Sequence, residues 1–174
     1  MYKKYVLEVT RVLGELNLDK VEEAARIIDR ARKSGRWVLL FGHGGSAATA
    51  SHWANGLQSV GVRAHVLDNV PIITAIANDS SYDQIFRNQL KDAIEGGDVA
   101  IGFSCSGNSK DVLLATKLAN LVGATTIGLT AFDGGELRTL VAVPVHVPVD
   151  SYEISEDIHS IIGHMITLRL KELE

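Results

Sequence analysis

The chain has 174 residues, 46% of them hydrophobic and 22% charged, with a formal net charge of −4. That length suits one domain with a full core, and the composition is that of a folded chain rather than a disordered one. The acidic balance argues against direct nucleic-acid binding, while a single cysteine excludes an intrachain disulfide framework and suits a reducing cytoplasm.

Charged and apolar residues intermix from Met1 to Arg11, so no signal-peptide core is expected there, and no apolar run reaches the length of a membrane span. Tyr2, Val6, Val9, Leu13 and Leu16 form one stripe of an amphipathic helix. Asp19 is the expected N-cap of a second helix, which carries Val21, Ala24, Ala25, Ile28 and Ala31 inward and runs through Lys33 to a stop at Ser34-Gly35. These two leading helices either cap the sheet or pack on a partner subunit. Trp37 to Phe41 is short and apolar, the pattern of a buried parallel strand. Gly42-His43-Gly44-Gly45-Ser46-Ala47 turns into an Ala-rich helix that reaches Gly56, and Arg63 to Asp68 is the second strand.

Val70 to Asn78 predicts a short helix, and Tyr82 to Ile94 a further one capped by Ser80 or Ser81. Asp98 to Phe103 is the third strand, followed by Ser104-Cys105-Ser106-Gly107-Asn108-Ser109 and a helix through Leu121. Thr125 to Thr130 is the fourth strand; Asp133 to Leu137 opens a short helix. Val143 to Val149 is the fifth strand, and Glu153 to Leu173 the closing helix. Strands alternating with helices predict a doubly wound α/β fold, a parallel five-stranded sheet flanked by helices.

Two turns carry the chemistry. Strand, glycine turn and helix at Gly42 to Ala47 aim backbone N–H groups and the positive end of a helix dipole at one spot, which suits an anion. Gly42-x-Gly44-x-x-Ala47, with Asp68 ending the next strand, also matches the dinucleotide fingerprint. Against a dinucleotide, the chain is too short to add a substrate domain, and the second turn competes for the ligand. Ser104 to Ser109 sets three hydroxyls and a glycine before a helix, enough to hold a phosphate without a lysine. The plainer reading of that turn is a βα connection with Ser109 as N-cap. No GxxxxGK[ST] motif is present, so no nucleotide cofactor is expected.

The ordered set GHGGSA, the His52 helix, Ala77-Asn78-Asp79, SCSGNS, Leu129-Thr130-x-x-Asp133-Gly134-Gly135 and the His159/His164 helix resembles the sugar isomerase (SIS) family, in its phosphoheptose isomerase branch. The resemblance spans residues 2 to the C-terminus. It implies a single SIS domain, 1–174, in a cytoplasmic homotetramer with active sites between subunits. The implied reaction converts sedoheptulose 7-phosphate to a D-glycero-heptose 7-phosphate through an enediol, often with zinc. It implies that Ser104, Cys105, Ser106 and Ser109 hold the phosphate, and that His43, Gly44, Gly45, Ser46, Asn78 and Asp79 stand beside the sugar.

This chain departs from that pattern. The branch has a Glu one helical turn after the histidine that falls on His52, and here that position is Gly56. Where it has Gln, this chain has Glu156, and its final catalytic histidine falls on His164. Glu156 is therefore expected to take over metal or base duty, with His52, Glu156 and His164 as a His₂Glu zinc set and Glu156 and His164 as the catalytic pair. Glu156 and His164 are eight residues apart, about 12 Å along a regular helix, which strains that grouping. Cys105 reads as a small polar filler more than a nucleophile. His159 lies about 140° round the helix from His164 and is either a second acid/base or an interface residue. His65, His146 and Trp53 read as structural. A non-catalytic SIS branch that associates with a replication initiator also lacks the Glu at Gly56, and the stretches 74–79 and 132–137 look like it; phosphosugar binding without turnover is the alternative.

Overall fold

The computed structural model describes residues 1–173. Helices α1 (Tyr2–Gly14) and α2 (Leu18–Lys33) precede β1 (Trp37–Phe41). Then follow α3 (Gly44–Gln58), β2 (Arg63–Val66), α4 (Val70–Asp79), a 3₁₀ turn (Tyr82–Gln84), α5 (Ile85–Lys91) and β3 (Val99–Phe103). The chain ends with α6 (Lys110–Leu121), β4 (Thr125–Thr130), α7 (Leu137–Leu140), β5 (Val143–His146) and α8 (Tyr152–Glu172). All strand pairs are parallel, in the order β2-β1-β3-β4-β5, so the predicted doubly wound sheet is the one observed.

Alternation along the buried strands divides the core into two. Val38 and Leu40 of β1, with Ile101, Phe103, Ile127 and Leu129, face α2, α3 and α8. Leu39 and Phe41 face the other way, toward Phe86, Leu90, Val112 and Leu137 of α5, α6 and α7. Helix α2 caps the sheet, with Ala24 and Ile28 fully buried. Helix α1 buries Val12 but leaves Tyr2, Val6 and Leu7 exposed; Tyr5 Oη donates to Asp157 Oδ2 (2.5 Å) and pins α1 to α8.

Helices α3 and α8 follow strands of one parallel sheet and cover the same face, so they run side by side in the same direction. Their contacts step along both helices together. Gly45 meets Glu156, Thr49 Oγ1 lies 3.3 Å from Ser160 Oγ, Trp53 Nε1 donates to the His159 carbonyl (2.8 Å), and Gly56 faces Thr167. Gly163 lets Trp53 sit directly on the α8 backbone, since a Cβ there would overlap the indole.

Several boundaries differ from the sequence expectation. Asn17, not Asp19, caps α2, its Oδ1 accepting from Lys20 N (3.2 Å). The predicted helix 82–94 splits into the 3₁₀ turn and α5. Ser80 closes α4, and Ser81 precedes the 3₁₀ turn without a side-chain cap. Asp133 to Gly135 forms a loop, with Phe132, Gly134 and Gly135 at positive φ, and α7 starts only at Leu137.

Candidate active site

In the order 2-1-3-4-5, chain connectivity reverses between β1 and β3, and ligands of open α/β sheets bind outside the carboxyl ends of the strands at such a point. The two turns picked out in the sequence leave those strands: Gly42–Gly45 after β1 and Ser104–Ser109 after β3. Between them lies a cavity of about 130 Å³ lined by His43, Ser46, Ser104, Ser106, Ser109 and Glu156, with Cys105, Phe103 and Tyr152 completing the wall. A larger hollow of about 550 Å³, lined by His65, Ile76, Arg87 and Gln89 among others, holds none of the predicted site residues.

The serine turn is shaped by its own hydrogen bonds. Gly107 N donates to the Ser104 carbonyl (2.9 Å), Asn108 N to Ser106 Oγ (3.3 Å), and Ser104 Oγ lies 3.0 Å from Ser109 Oγ. Ser109 sits at the N-cap of α6 but makes no side-chain cap bond, so its hydroxyl is spent on Ser104 and the cavity. The first N–H groups of α6 lack intrahelical acceptors, as at any helix start, and the hydroxyls converge beside them. Cys105 is buried beneath the turn, with Ser155 Oγ donating to its Sγ (3.3 Å) and Ser46 Oγ at 3.9 Å. Burial pushes its thiol pKa up, which keeps it protonated and fits a filler rather than a nucleophile.

Glu156 closes the cavity from α8. Its carboxylate lies against Gly45 at the start of α3, where any side chain would collide with it. Burial pushes its carboxyl pKa up, helped by the charges of Glu153 and Asp157 and opposed by the Ser46 N–H. A carboxyl raised in this direction is suited to acid/base work.

His43, the N-cap residue of α3, also lines the cavity. Its Nε2 lies 2.5 Å from Asp111 Oδ2, and its ring is stacked on Tyr82 (5.8 Å, 22°) and tilted against Phe86 (5.1 Å). Asp111 escaped the sequence reading because an acid in the first turn of a helix is ordinary; here it is only 3% exposed, with Oδ1 accepting from Val112 N (2.9 Å). Tyr152 was likewise missed.

Other predicted residues are not gathered here. His52 and His164 meet each other, Nε2 to Nε2 at 2.7 Å, on the exposed face where α3 and α8 touch. They stand about two turns further along those helices than Glu156, so the structure does not assemble the His52/Glu156/His164 set: the parallel packing of α3 and α8 keeps its members on separate levels. Among the described residues, no three His, Cys, Asp or Glu side chains converge on one point. Nor does His164 line the cavity beside Glu156, and its pairing with that residue as a catalytic couple is not formed within the chain. Gly56 faces Thr167, whose Oγ1 would lie 2.9 Å from a Cβ at that position. Asn78 and Asp79 are exposed at the end of α4, where Asn78 Nδ2 donates to Asp79 Oδ1 (2.8 Å), and neither lines the cavity. His159 is fully buried, its Nε2 3.3 Å from the Thr130 carbonyl and its Nδ1 without a partner; burial pulls its pKa down to about 4. It is a core residue. Trp53 is core too, edge-on to Phe103 at 5.2 Å.

The model of the SIS domain family matches residues 1–131. A probable phosphoheptose isomerase of Thermoplasma acidophilum is 36% identical over 98% of this chain and 97% of its own length. The phosphoheptose isomerase of Aquifex aeolicus is 34% identical over 95% and 91% respectively. Among solved structures, phosphoheptose isomerase from Neisseria gonorrhoeae superposes with a TM-score of 0.94 at 28% identity, covering 98% of this chain and 97% of that one. The chain therefore belongs to the SIS domain family and, within it, to the phosphoheptose isomerase branch.

Proposed function

We propose that this chain, as a single SIS domain spanning 1–174, is a phosphosugar aldose–ketose isomerase acting on sedoheptulose 7-phosphate to give a D-glycero-heptose 7-phosphate. The observation that supports this most is the sharing of one cavity, at the switch point of the sheet, by a hydroxyl-rich anion turn and the half-buried carboxylate of Glu156. Ser104, Ser106 and Ser109 anchor the phosphate, which turns a flexible open-chain sugar into a positioned reactant. Glu156 serves as an acid/base group for the proton movements between neighbouring carbons and oxygens. His43 and Ser46 line the sugar side, with Gly44 and Gly45 supplying backbone and Cys105 the floor.

The expected zinc does not fit the donors of one chain. Two imidazoles meet in direct hydrogen-bond contact, and the carboxylate meant to complete the set is elsewhere, so no step of the reaction is routed through a metal. The proposal includes a homotetramer, supported by apolar side chains exposed on α1 and α4 (Val6, Leu7, Val70, Ile72). In that assembly, sites between subunits would bring Asn78, Asp79 and the His52/His164 pair to a partner's cavity. A cytoplasmic setting is supported by the one free, buried thiol; among the described residues no helix is long and apolar enough to cross a membrane.

Incubation with sedoheptulose 7-phosphate, following the aldose by NMR, tests the reading; absence of any aldose at micromolar protein would overturn it. Gly56, which withholds a carboxylate from the histidine pair, favours the second reading of a phosphosugar binder without turnover. Retention of the initiator ATPase in a pull-down, alongside failure to turn over substrate, would establish that one.

A further inference from the structure

Resting on the isomerase reading, we infer that His43 is a catalytic base of this site and that Asp111 is its positioning residue: a carboxylate–imidazole dyad assembled across the β1/β3 switch point. Three features of the geometry lead there. Asp111 is almost wholly removed from water, and a buried carboxylate needs partners; it has the Val112 N–H on one oxygen and His43 Nε2 on the other. The ring packs against Tyr82 and Phe86, contacts that restrict its orientation before any ligand arrives. And His43 lines the same cavity as the serine turn and Glu156.

The dyad settles which nitrogen does the work. An ionised carboxylate only accepts, so the Nε2 that touches it must carry the hydrogen in the neutral ring. Nδ1 is then bare, and among the described residues it makes no hydrogen bond. A carboxylate on one ring nitrogen fixes the tautomer and the orientation of the ring, and steadies the imidazolium that forms when the other nitrogen takes a proton. His43 lines the cavity in which the phosphate turn would hold a substrate.

The step balances without an oxidant. Nδ1 takes the proton from carbon 1 of the ketose, and the electrons of that C–H bond become the carbon 1–carbon 2 double bond. The carbonyl oxygen on carbon 2 receives a proton from the Glu156 carboxyl, giving the neutral enediol. The imidazolium then returns a proton to carbon 2, Glu156 recovers one from the oxygen on carbon 1, and the aldose results. One carbon is reduced and its neighbour oxidised within the same molecule.

A plain structural tie between two loops would leave the same contact, so the variants must keep the tie and remove the base. His43→Asn retains an amide that can donate to Asp111 but carries no base; kcat is expected to fall 10²-fold or more, with KM changing less than about threefold. Asp111→Asn lets the amide donate to Nε2 and favours the opposite tautomer, with a similar fall in kcat, and the double variant is expected to lose little more than either single one. Deuterium wash-in from D₂O into the substrate should slow in parallel. ¹⁵N-histidine NMR of the unaltered protein reads the tautomer directly, with the His43→Asn spectrum assigning the peaks, and Nε2–H is expected. An Nδ1–H tautomer, or His43→Asn protein turning over at the native rate, overturns the dyad while leaving the isomerase reading standing. A native protein that is inactive on sedoheptulose 7-phosphate overturns both.

Discussion

The Glu156 carboxylate rests on the bare Cα of Gly45, joining the end of α8 that follows β5 to the end of α3 that follows β1. This contact brings an acid into the mouth of the phosphate turn, and it exists only because residue 45 has no side chain. Gly45→Ala is expected to push Glu156 out of the cavity. Because an added Cβ meets only the end of the flexible Glu156 side chain, the stability change is expected to stay within about 1 kcal/mol, while loss of a positioned acid/base group is expected to lower kcat about 10²-fold or more. Thermal unfolding and steady-state kinetics of the variant check both; unchanged kcat would separate Glu156 from the chemistry.

Removing a hydroxyl from the serine turn should act on binding. Ser104→Ala or Ser109→Ala breaks the 3.0 Å Oγ–Oγ contact and takes one donor from the phosphate, each expected to raise KM about tenfold, the scale of one hydrogen bond to a charged group. The same variants should show no such loss with unphosphorylated sedoheptulose, which is expected to be a poor substrate for all forms.

His159 couples the fold to pH. Folded, it takes a proton only near pH about 4, against 6.5 for the ordinary group, because burial disfavours the imidazolium. Between those values the unfolded chain holds more protons. Its contribution to stability is therefore complete above about pH 6.5 and is lost progressively as pH falls toward 4, by about 3 kcal/mol in all. Urea unfolding midpoints measured from pH 7.5 to 4.5 are expected to fall accordingly, and His159→Gln to flatten the part of that slope due to this residue.

Metal content gives another check. With two imidazoles and, among the described residues, no carboxylate grouped with them, protein purified and then dialysed against EDTA is expected to hold less than about 0.1 zinc per chain and to keep its turnover. Gly56→Glu places a carboxylate one helical turn from His52, on the same face, once Thr167 moves aside. That variant is expected to gain zinc by elemental analysis. Stoichiometric zinc in the native chain would contradict the donor set described.

Much of this was readable from the residues alone. The apolar run 37–41 followed by glycines can hardly be other than a buried strand and a helix start, and SCSGNS after a second such run marks the other side of the cavity. The eight-residue gap between Glu156 and His164 implies about 12 Å, and both residues lie on the one continuous helix α8, whose rise sets that separation. What stayed hidden depends on sheet order. His43 and Asp111 are 68 residues apart and meet because β1 and β3 are neighbours, a pairing that leaves no mark at either residue. The break before Ile85 is hidden for a similar reason: no Gly or Pro announces it, and Tyr82 leaves the helix to stack on His43. Asn17 and Asp19 are both good caps, and only the observed bond to Lys20 N chooses between them.

The central claim is that a sugar phosphate sits with its phosphate in the serine turn and its reacting carbons between Glu156 and His43. A crystal structure of the protein soaked with sedoheptulose 7-phosphate tests it most directly. The expected result is phosphate oxygens about 3 Å from Ser104 and Ser109 Oγ, with carbons 1 and 2 facing the Glu156 carboxylate. Phosphate bound instead along Gly42 to Ala47 with the serine turn empty, or a sugar seated at the His52/His164 pair, would contradict it.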